Sequence, residues 1–291
     1  MIPKINMMIV GAEKAGTSSL QQYLGQHPQI CTHDPREMNF FVIEDEYQQG
    51  YKQIFPYYFS ECQTSTNVVV AKSAGCMYSP MAAIRLQRHN PEVQVVILLR
   101  NPIERAYSSY WFSRRRGWEA SPTFEMALKS NNGRLHRFDS NEKLSIYLEQ
   151  SNYIKYLPQI FDLFDKEQIH IFLLEDLKNE AQKVCSQLFA VVHVDRQYVV
   201  DTVRHNRAAV AKSEKLAQWL SSGNTFKQSI GRLLPPGLRW KFKSKLNALN
   251  ERDFVPPPIN PNTETALKNY FKESVDQLGV LIGRDLSCWY E

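Results

Sequence analysis

A lysine flanked by glycines, in Gly11-Ala-Glu-Lys14-Ala-Gly16-Thr-Ser-Ser-Leu20, and an arginine opening Arg100-Asn-Pro-Ile-Glu-Arg105-Ala-Tyr-Ser108 are the residues best suited to chemistry in this chain. Each motif follows an apolar run, Met7–Val10 in one case and Val93–Leu99 in the other, and each leads into a helical pattern. A strand that ends in glycine and opens a helix holds phosphate, because the helix N-terminal N–H groups and the helix dipole both favour an anion. Two such places on one sheet imply a ligand with two separate phosphate groups.

The first motif departs from the nucleoside-triphosphate loop G-x-x-x-x-G-K-[ST], whose lysine reaches the β- and γ-phosphates and whose hydroxyl holds magnesium. Gly11 and Gly16 keep the spacing, but Thr17 stands in the lysine's place and Lys14 lies inside the loop. The second strand ends in Arg100, where a magnesium-dependent NTPase presents an aspartate. A cation there repels a metal and attracts a phosphate. The pattern therefore points to transfer of an anionic group without a metal, Lys14 supplying the positive charge.

These residues resemble the sulfotransferases that use 3′-phosphoadenylyl sulfate (PAPS), in particular the carbohydrate and heparan-sulfate-type branch and its bacterial relatives. Gly11 to Leu20 matches the family form G-x-x-K-x-G-T-x-x-L, which binds the 5′-phosphosulfate. Arg100, Asn101, Pro102, Arg105 and Ser108 match R-[ND]-P-x-x-R-x-x-S, which binds the 3′-phosphate. Arg36-Glu37-Met38-Asn39-Phe40-Phe41 is similar to the family's Lys-Glu-x-x-Phe-Phe, whose glutamate is the general base. The likeness extends through Gln26-His27-Pro28, Glu175-Asp176-Leu177, and Gly283-Arg284-Asp285-Leu286 with Trp289, and so covers almost the whole chain.

The resemblance implies in-line transfer of a sulfuryl group from PAPS to an acceptor hydroxyl or amine, leaving adenosine 3′,5′-bisphosphate, with no metal required. The acceptor class is a carbohydrate or another small-molecule or lipid alcohol. Glu37 takes the acceptor's proton. Lys14, with the loop residues Ala15, Gly16, Thr17, Ser18 and Ser19, holds the 5′-phosphate side; Arg100 and Ser108 hold the 3′-phosphate. Lys72 is a second catalytic cation, although Ala71-Lys72-Ser73-Ala74 lacks the glutamate and proline of the family's Glu-Lys-[ST]-Pro. The later basic loop that completes the 3′-phosphate site falls on Arg207 or Lys212. Arg105 reads equally well as an ion-pair partner inside the fold and is left outside the site; His27, before a proline at a helix end, reads as structural. Two other classes compete: a magnesium-dependent, kinase-like phosphotransferase of the related loop type, and a non-catalytic nucleotide-binding relative. The missing lysine after Gly16 and the strand-end Arg100 oppose the first, and the presence of Glu37 opposes the second.

Composition bounds the rest. With 43% hydrophobic and 22% charged residues, the chain has the balance of a globular protein with a substantial core. A net charge of +5 suits an anionic cofactor but falls short of a nucleic-acid footprint. No apolar run approaches the roughly 18 residues of a transmembrane helix, and the N-terminus enters the first strand at once. Five cysteines at positions 31, 62, 76, 185 and 288 form an odd set without Cys-x-x-Cys spacing, which argues against a disulfide framework or a zinc site. A cytoplasmic, bacterial setting is the simplest reading, with the lumenal part of a Golgi enzyme as the alternative. The sequence sets no oligomeric state.

The elements that must position these residues alternate as in an α/β protein with a mostly parallel central sheet; the resemblance implies three layers, that sheet flanked by helices, in the P-loop-NTPase-like sulfotransferase fold. Strands are expected near 5–10, 67–72, 93–99 and 169–174, and helices at about 17–26, 80–89, 144–164, 178–191 and 263–281. One domain over 1–291 is expected, with an irregular helical excursion at about 195–261. That excursion carries Pro235-Pro-Gly, Pro256-Pro-Pro and the basic stretch Arg239–Lys245, read as a surface helix framing a substrate cleft.

Overall fold

Strand β1 (Met7–Gly11) is buried along its whole length, as its unbroken apolar sequence requires of a central parallel strand. A computed structural model describes residues 2–33, 37–60, 62, 68–129, 146–202, 209–213 and 250–291. After β1 come α1 (Thr17–Leu24), β2 (Ile30–Thr32), α2 (Glu44–Gln49), α3 (Tyr51–Tyr58), β3 (Val68–Lys72), α4 (Pro80–His89), β4 (Gln94–Leu99) and α5 (Pro102–Arg115). There follow α6 (Phe124–Lys129), α7 (Ile146–Glu149), α8 (Leu157–Leu163), β5 (Ile169–Leu173), α9 (Leu174–Asn179), α10 (Ala181–Val191), β6 (Ala209–Ala211), β7 (Glu251–Asp253) and α11 (Pro261–Ile282).

Five strands form one sheet in the order β2-β3-β1-β4-β5, and every pairing in it is parallel. The chain leaves β1 toward β2 on one side, then returns from β3 across β1 to β4 on the other. Right-handed crossovers running in opposite directions place their helices on opposite faces. Accordingly α1 packs with α10, and α4 with α8. The connections diverge between β1 and β4, and the crevice beyond the strand ends at such a divergence is where open α/β sheets bind ligands. The glycine loop leaves β1 there, and Arg100 follows β4.

The chain divides into two units. The first comprises residues 1–105, 152–205 and 268–291 and holds the sheet; the second comprises 106–151 and 206–267. Within the second unit, Tyr107, Tyr110, Trp111, Phe124 and Tyr147 form an aromatic cluster. There β6 and β7 make an antiparallel ribbon.

The strands and most helices fall where the pattern places them, α4 over the same ten residues. The expected long helix over 144–164 is broken instead. Its first stretch ends where the Ser151 hydroxyl donates to the Tyr147 carbonyl at 2.9 Å, and α8 restarts with Pro158 in its first turn, where proline's missing N–H costs nothing. The helix expected over 178–191 is two helices, α9 and α10. The inference from cysteine count also needs correcting. Cys31 on β2 and Cys62 after α3 form a disulfide, their Cα atoms 5.5 Å apart, a proximity made by the fold and invisible in the spacing. Cys76 and Cys185 are buried free thiols and Cys288 is exposed. The basic stretch 239–245 lies outside the described residues. No helix among the described residues is long and apolar enough to cross a membrane.

Candidate active site

The loop after β1 turns through two left-handed residues, Lys14 at φ 71° and Gly16 at φ 94°. Lys14 carries a side chain in a region that residues with Cβ atoms rarely enter, a conformation that clusters at functional sites. Gly16 has no alternative: a Cβ there would lie 2.9 Å from Leu174 Cδ1 and 3.3 Å from Leu177 Cδ2. Gly16 caps α1, whose ladder starts with the Leu20 N–H donating to the Gly16 carbonyl. The N–H groups of Thr17, Ser18 and Ser19 therefore precede the ladder, at the positive end of the helix. Ala15 is buried, with its N–H on the Ala12 carbonyl, so it shapes the loop rather than facing outward.

At the end of β3 stands the second cation. Lys72 is 1% exposed, and its Nζ donates to Glu37 Oε1 at 2.6 Å and to Ser18 Oγ at 3.2 Å. The other carboxylate oxygen of Glu37 accepts the Ala74 N–H at 2.7 Å. Glu37 itself keeps 39% of its side chain exposed, so the pair has a buried cationic end and an open anionic end. The fold thus joins Glu37, Lys72 and Ser18, which the sequence separates by up to 54 positions. Cys76 follows on a short 3₁₀ turn, but burial pushes its thiol up to about 12, which keeps it protonated and removes it as a nucleophile.

Arg100, just past β4, reaches the loop from the other side: its Nη1 donates to the Lys14 carbonyl at 3.3 Å. Its Nε and Nη2 both donate to Glu104 Oε2, at 3.1 and 2.9 Å, one helical turn ahead. Among the described residues, three of the five guanidinium N–H groups are thereby engaged. The main chain of Arg100 is fixed by Tyr153, whose hydroxyl donates to the Arg100 carbonyl at 2.8 Å. Asn101 caps α5 by accepting the Ile103 N–H, and its amide donates to the Trp289 carbonyl at 3.0 Å, tying the C-terminal end of the chain to this strand end. Arg105 is fully buried. Burial raises the hydroxyls of Tyr78, to about 12, and of Tyr153, and the Arg105 charge partly offsets both shifts. That setting makes Arg105 part of the packing beneath the site.

The remaining expected residues are Ser108, Lys212 and Arg207. Ser108 is on α5, within the second unit, and half-buried. Lys212 is exposed, also in the second unit, next to β6, and Arg207 lies outside the described residues. Three residues that hold the site carried no sequence signal of their own strength: Glu104, Tyr153 and His33, whose Nε2 accepts the Lys72 main-chain N–H. Glu104 alone was findable, from its i,i+4 relation to Arg100.

A parallel sheet whose divergence point carries a glycine loop, a strand-end arginine and a buried lysine paired with a half-exposed glutamate defines an α/β enzyme built for anionic group transfer. Residues 4–253 match the sulfotransferase domain family, and the chain belongs to that family. It is 26% identical over 192 residues to the bifunctional heparan sulfate N-deacetylase/N-sulfotransferase 1 of Caenorhabditis briggsae, covering 63% of this chain and 22% of that protein. It is 29% identical over 114 residues to the human protein of the same name, covering 38% of this chain and 13% of that one. The chain thus spans about a fifth or less of the length of these relatives. Among solved structures, a sulfotransferase from Alicyclobacillus acidocaldarius superposes with a TM-score of 0.71 at 24% identity, each chain covered in full, which establishes the fold.

Proposed function

We propose that this sulfotransferase moves a sulfuryl group from PAPS to an acceptor hydroxyl or amine, with a carbohydrate as the favoured acceptor class. The observation that carries the reading is the Glu37–Lys72 pair, 2.6 Å apart and touching Ser18 of the glycine loop. The donor set fits a nucleotide with separated phosphates: Lys14, Thr17 and Ser18 beside one, the Arg100 guanidinium for the other. When bound, PAPS supplies the activated sulfuryl group and a stable phosphate leaving group. Glu37, open on one side, accepts the acceptor's proton. Lys72, buried and fixed by two partners, holds that carboxylate and places positive charge beside the loop. Lys14 adds charge from the other side, where negative charge grows in transfer. The amino-sugar polymer named in the relatives supports a carbohydrate acceptor, an amine as readily as a hydroxyl.

Thermal stabilisation by adenosine 3′,5′-bisphosphate, set against ATP with magnesium, tests the donor. Preferential stabilisation by the nucleotide triphosphate would sink the reading. Labelled PAPS with a panel of amino-sugar, hydroxyl-sugar and lipid-alcohol acceptors, followed by product mass, tests the transfer. Glu37→Gln should lower the rate by about 10²–10⁴-fold, the usual worth of a positioned general base, and leave bisphosphate binding in place.

A further inference from the structure

We propose that His33 is the positioning residue of the Glu37–Lys72 pair, registering the segment that carries the base onto the strand that carries the lysine. This rests on the function proposed above. Strand β2 ends at Thr32, opposite Val70, whereas β3 runs on to Lys72. On its other side β3 stays tied to β1, through the Lys72–Ile9 register and the Ser73 N–H on the Ile9 carbonyl. On the β2 side a side chain makes the next rung. The main-chain N–H of Lys72 donates to His33 Nε2 at 2.9 Å, and the Lys72 carbonyl accepts the Met38 N–H at 2.8 Å. Residues 33 and 38 thus grip both main-chain groups of Lys72, and Glu37 is the residue just before the second grip.

The imidazole is itself held. His33 is 4% exposed, its ring meets Tyr58 and Phe59 edge-on with centroids 5.9 and 5.6 Å away, and its carbonyl accepts the Gln21 amide from α1 at 2.9 Å. A backbone N–H can only donate, so Nε2 is the unprotonated nitrogen and the ring is in one tautomer. A buried histidine packed on aromatics is ordinarily core. Here its ring acceptor nitrogen is spent on the residue whose Nζ fixes the base, and displacement of a catalytic group by about 1 Å can cost on the order of 10²-fold in rate.

The test compares His33→Phe, which keeps a ring and removes the acceptor, with His33→Gln, whose Oε1 reaches the position of Nε2, and His33→Asn, whose amide is too short. Rates are measured with saturating PAPS and de-N-sulfated heparin as acceptor; adenosine 3′,5′-bisphosphate affinity is measured by calorimetry. The expected result is a kcat about 10- to 100-fold lower in His33→Phe and His33→Asn, recovered to within about fivefold in His33→Gln, with bisphosphate affinity within about twofold throughout. If His33→Phe does not fold, the contrast between the Gln and Asn variants decides. A wild-type rate in the Phe and Asn variants beside a dead Glu37→Gln overturns this inference alone, as does a kcat loss matched by lost bisphosphate affinity. A wild-type protein that transfers nothing, or a Glu37→Gln variant as active as wild type, overturns the underlying function and this inference with it.

Discussion

Removing either partner of the Glu37–Lys72 pair should not cost the same, because the two ends sit in different surroundings. Lys72 is 1% exposed while the Glu37 side chain is 39% exposed. In Glu37→Gln the ammonium stays buried, facing an amide oxygen and the Ser18 hydroxyl in place of a carboxylate. Breaking a fully buried pair by removing one charge costs about 3–5 kcal/mol; with one end open to water, about 2 kcal/mol is the reasonable figure. In Lys72→Met the buried charge itself disappears and a side chain of similar volume fills the space. Glu37 keeps the Ala74 N–H and gains water, so the cost should stay within about 1 kcal/mol. The double variant removes both charges and should be no less stable than Glu37→Gln alone, giving a coupling of about 1–2 kcal/mol in the cycle. Urea midpoints for the wild type, both single variants and the double variant measure this without any acceptor. A Lys72→Met variant less stable than Glu37→Gln, or a double variant whose loss equals the sum of the singles, would refute the asymmetry and the picture of a buried cation serving an open base.

Three further outcomes follow from the same contacts. Glu104→Gln frees Arg100 from an exposed ion pair worth about 0.2–1 kcal/mol and removes a negative charge beside the incoming phosphate, so adenosine 3′,5′-bisphosphate should bind about 2- to 5-fold tighter at low salt, an effect that calorimetry at high salt should erase. Weaker binding would mean that Glu104 serves to aim Arg100 instead. Reduction of Cys31–Cys62 opens a loop with a sequence separation of 31, for which the chain-entropy relation gives at most about 4 kcal/mol, so the urea midpoint should fall in dithiothreitol; alkylation of all five cysteines without reductant would remove the premise. His89, whose Nε2 accepts the Ile5 N–H, is depressed by burial to about 4 from 6.5. Its fold-favoured neutral form contributes stability that is present above pH 6.5 and lost as pH falls toward 4. His89→Gln should flatten the stability profile across that window, and an unchanged slope would assign the acid sensitivity elsewhere.

How much of this was legible beforehand depended on whether a residue's role is set by its neighbours in sequence or in space. The glycine loop and the strand-end arginine are local devices, each a strand end that leads into a helix within a few residues, and a helix does start after each; the left-handed turn at Lys14 and Gly16 and the Asn101 cap came only with the structure. The order of the sheet is less local. Even so, the apolar runs behind β1, β3 and β4 mark strands buried on both faces of a parallel sheet, while the P-loop-type reading came from the Gly11–Leu20 motif and the family resemblance. β2 escaped notice because three residues show no period, and the disulfide escaped because a separation of 31 says nothing about which cysteines meet. The expected 144–164 helix failed for a local reason, Ser151 and Pro158 interrupting an otherwise apolar-periodic run.

Lys72 shows where the two kinds of information meet. Its surrounding motif lacks the glutamate and proline that accompany the lysine in the sulfotransferase family, and by sequence alone that weakened its place beside the base. The structure supplies the neighbours from the segment after β2 and from α1: the lysine's N–H is taken by an imidazole, its carbonyl by Met38, its ammonium by Glu37 and Ser18. A buried ammonium is tolerated only where such partners are fixed, since an uncompensated one would cost several kcal/mol. The local motif can therefore vary so long as the segment from His33 to Met38 keeps its register on β3. The constraint on this site has moved from the residues adjacent to Lys72 in sequence to the rung that replaces β2, which is why Glu37, Lys72 and His33 should respond to substitution as one unit while Arg100 and the loop respond as another.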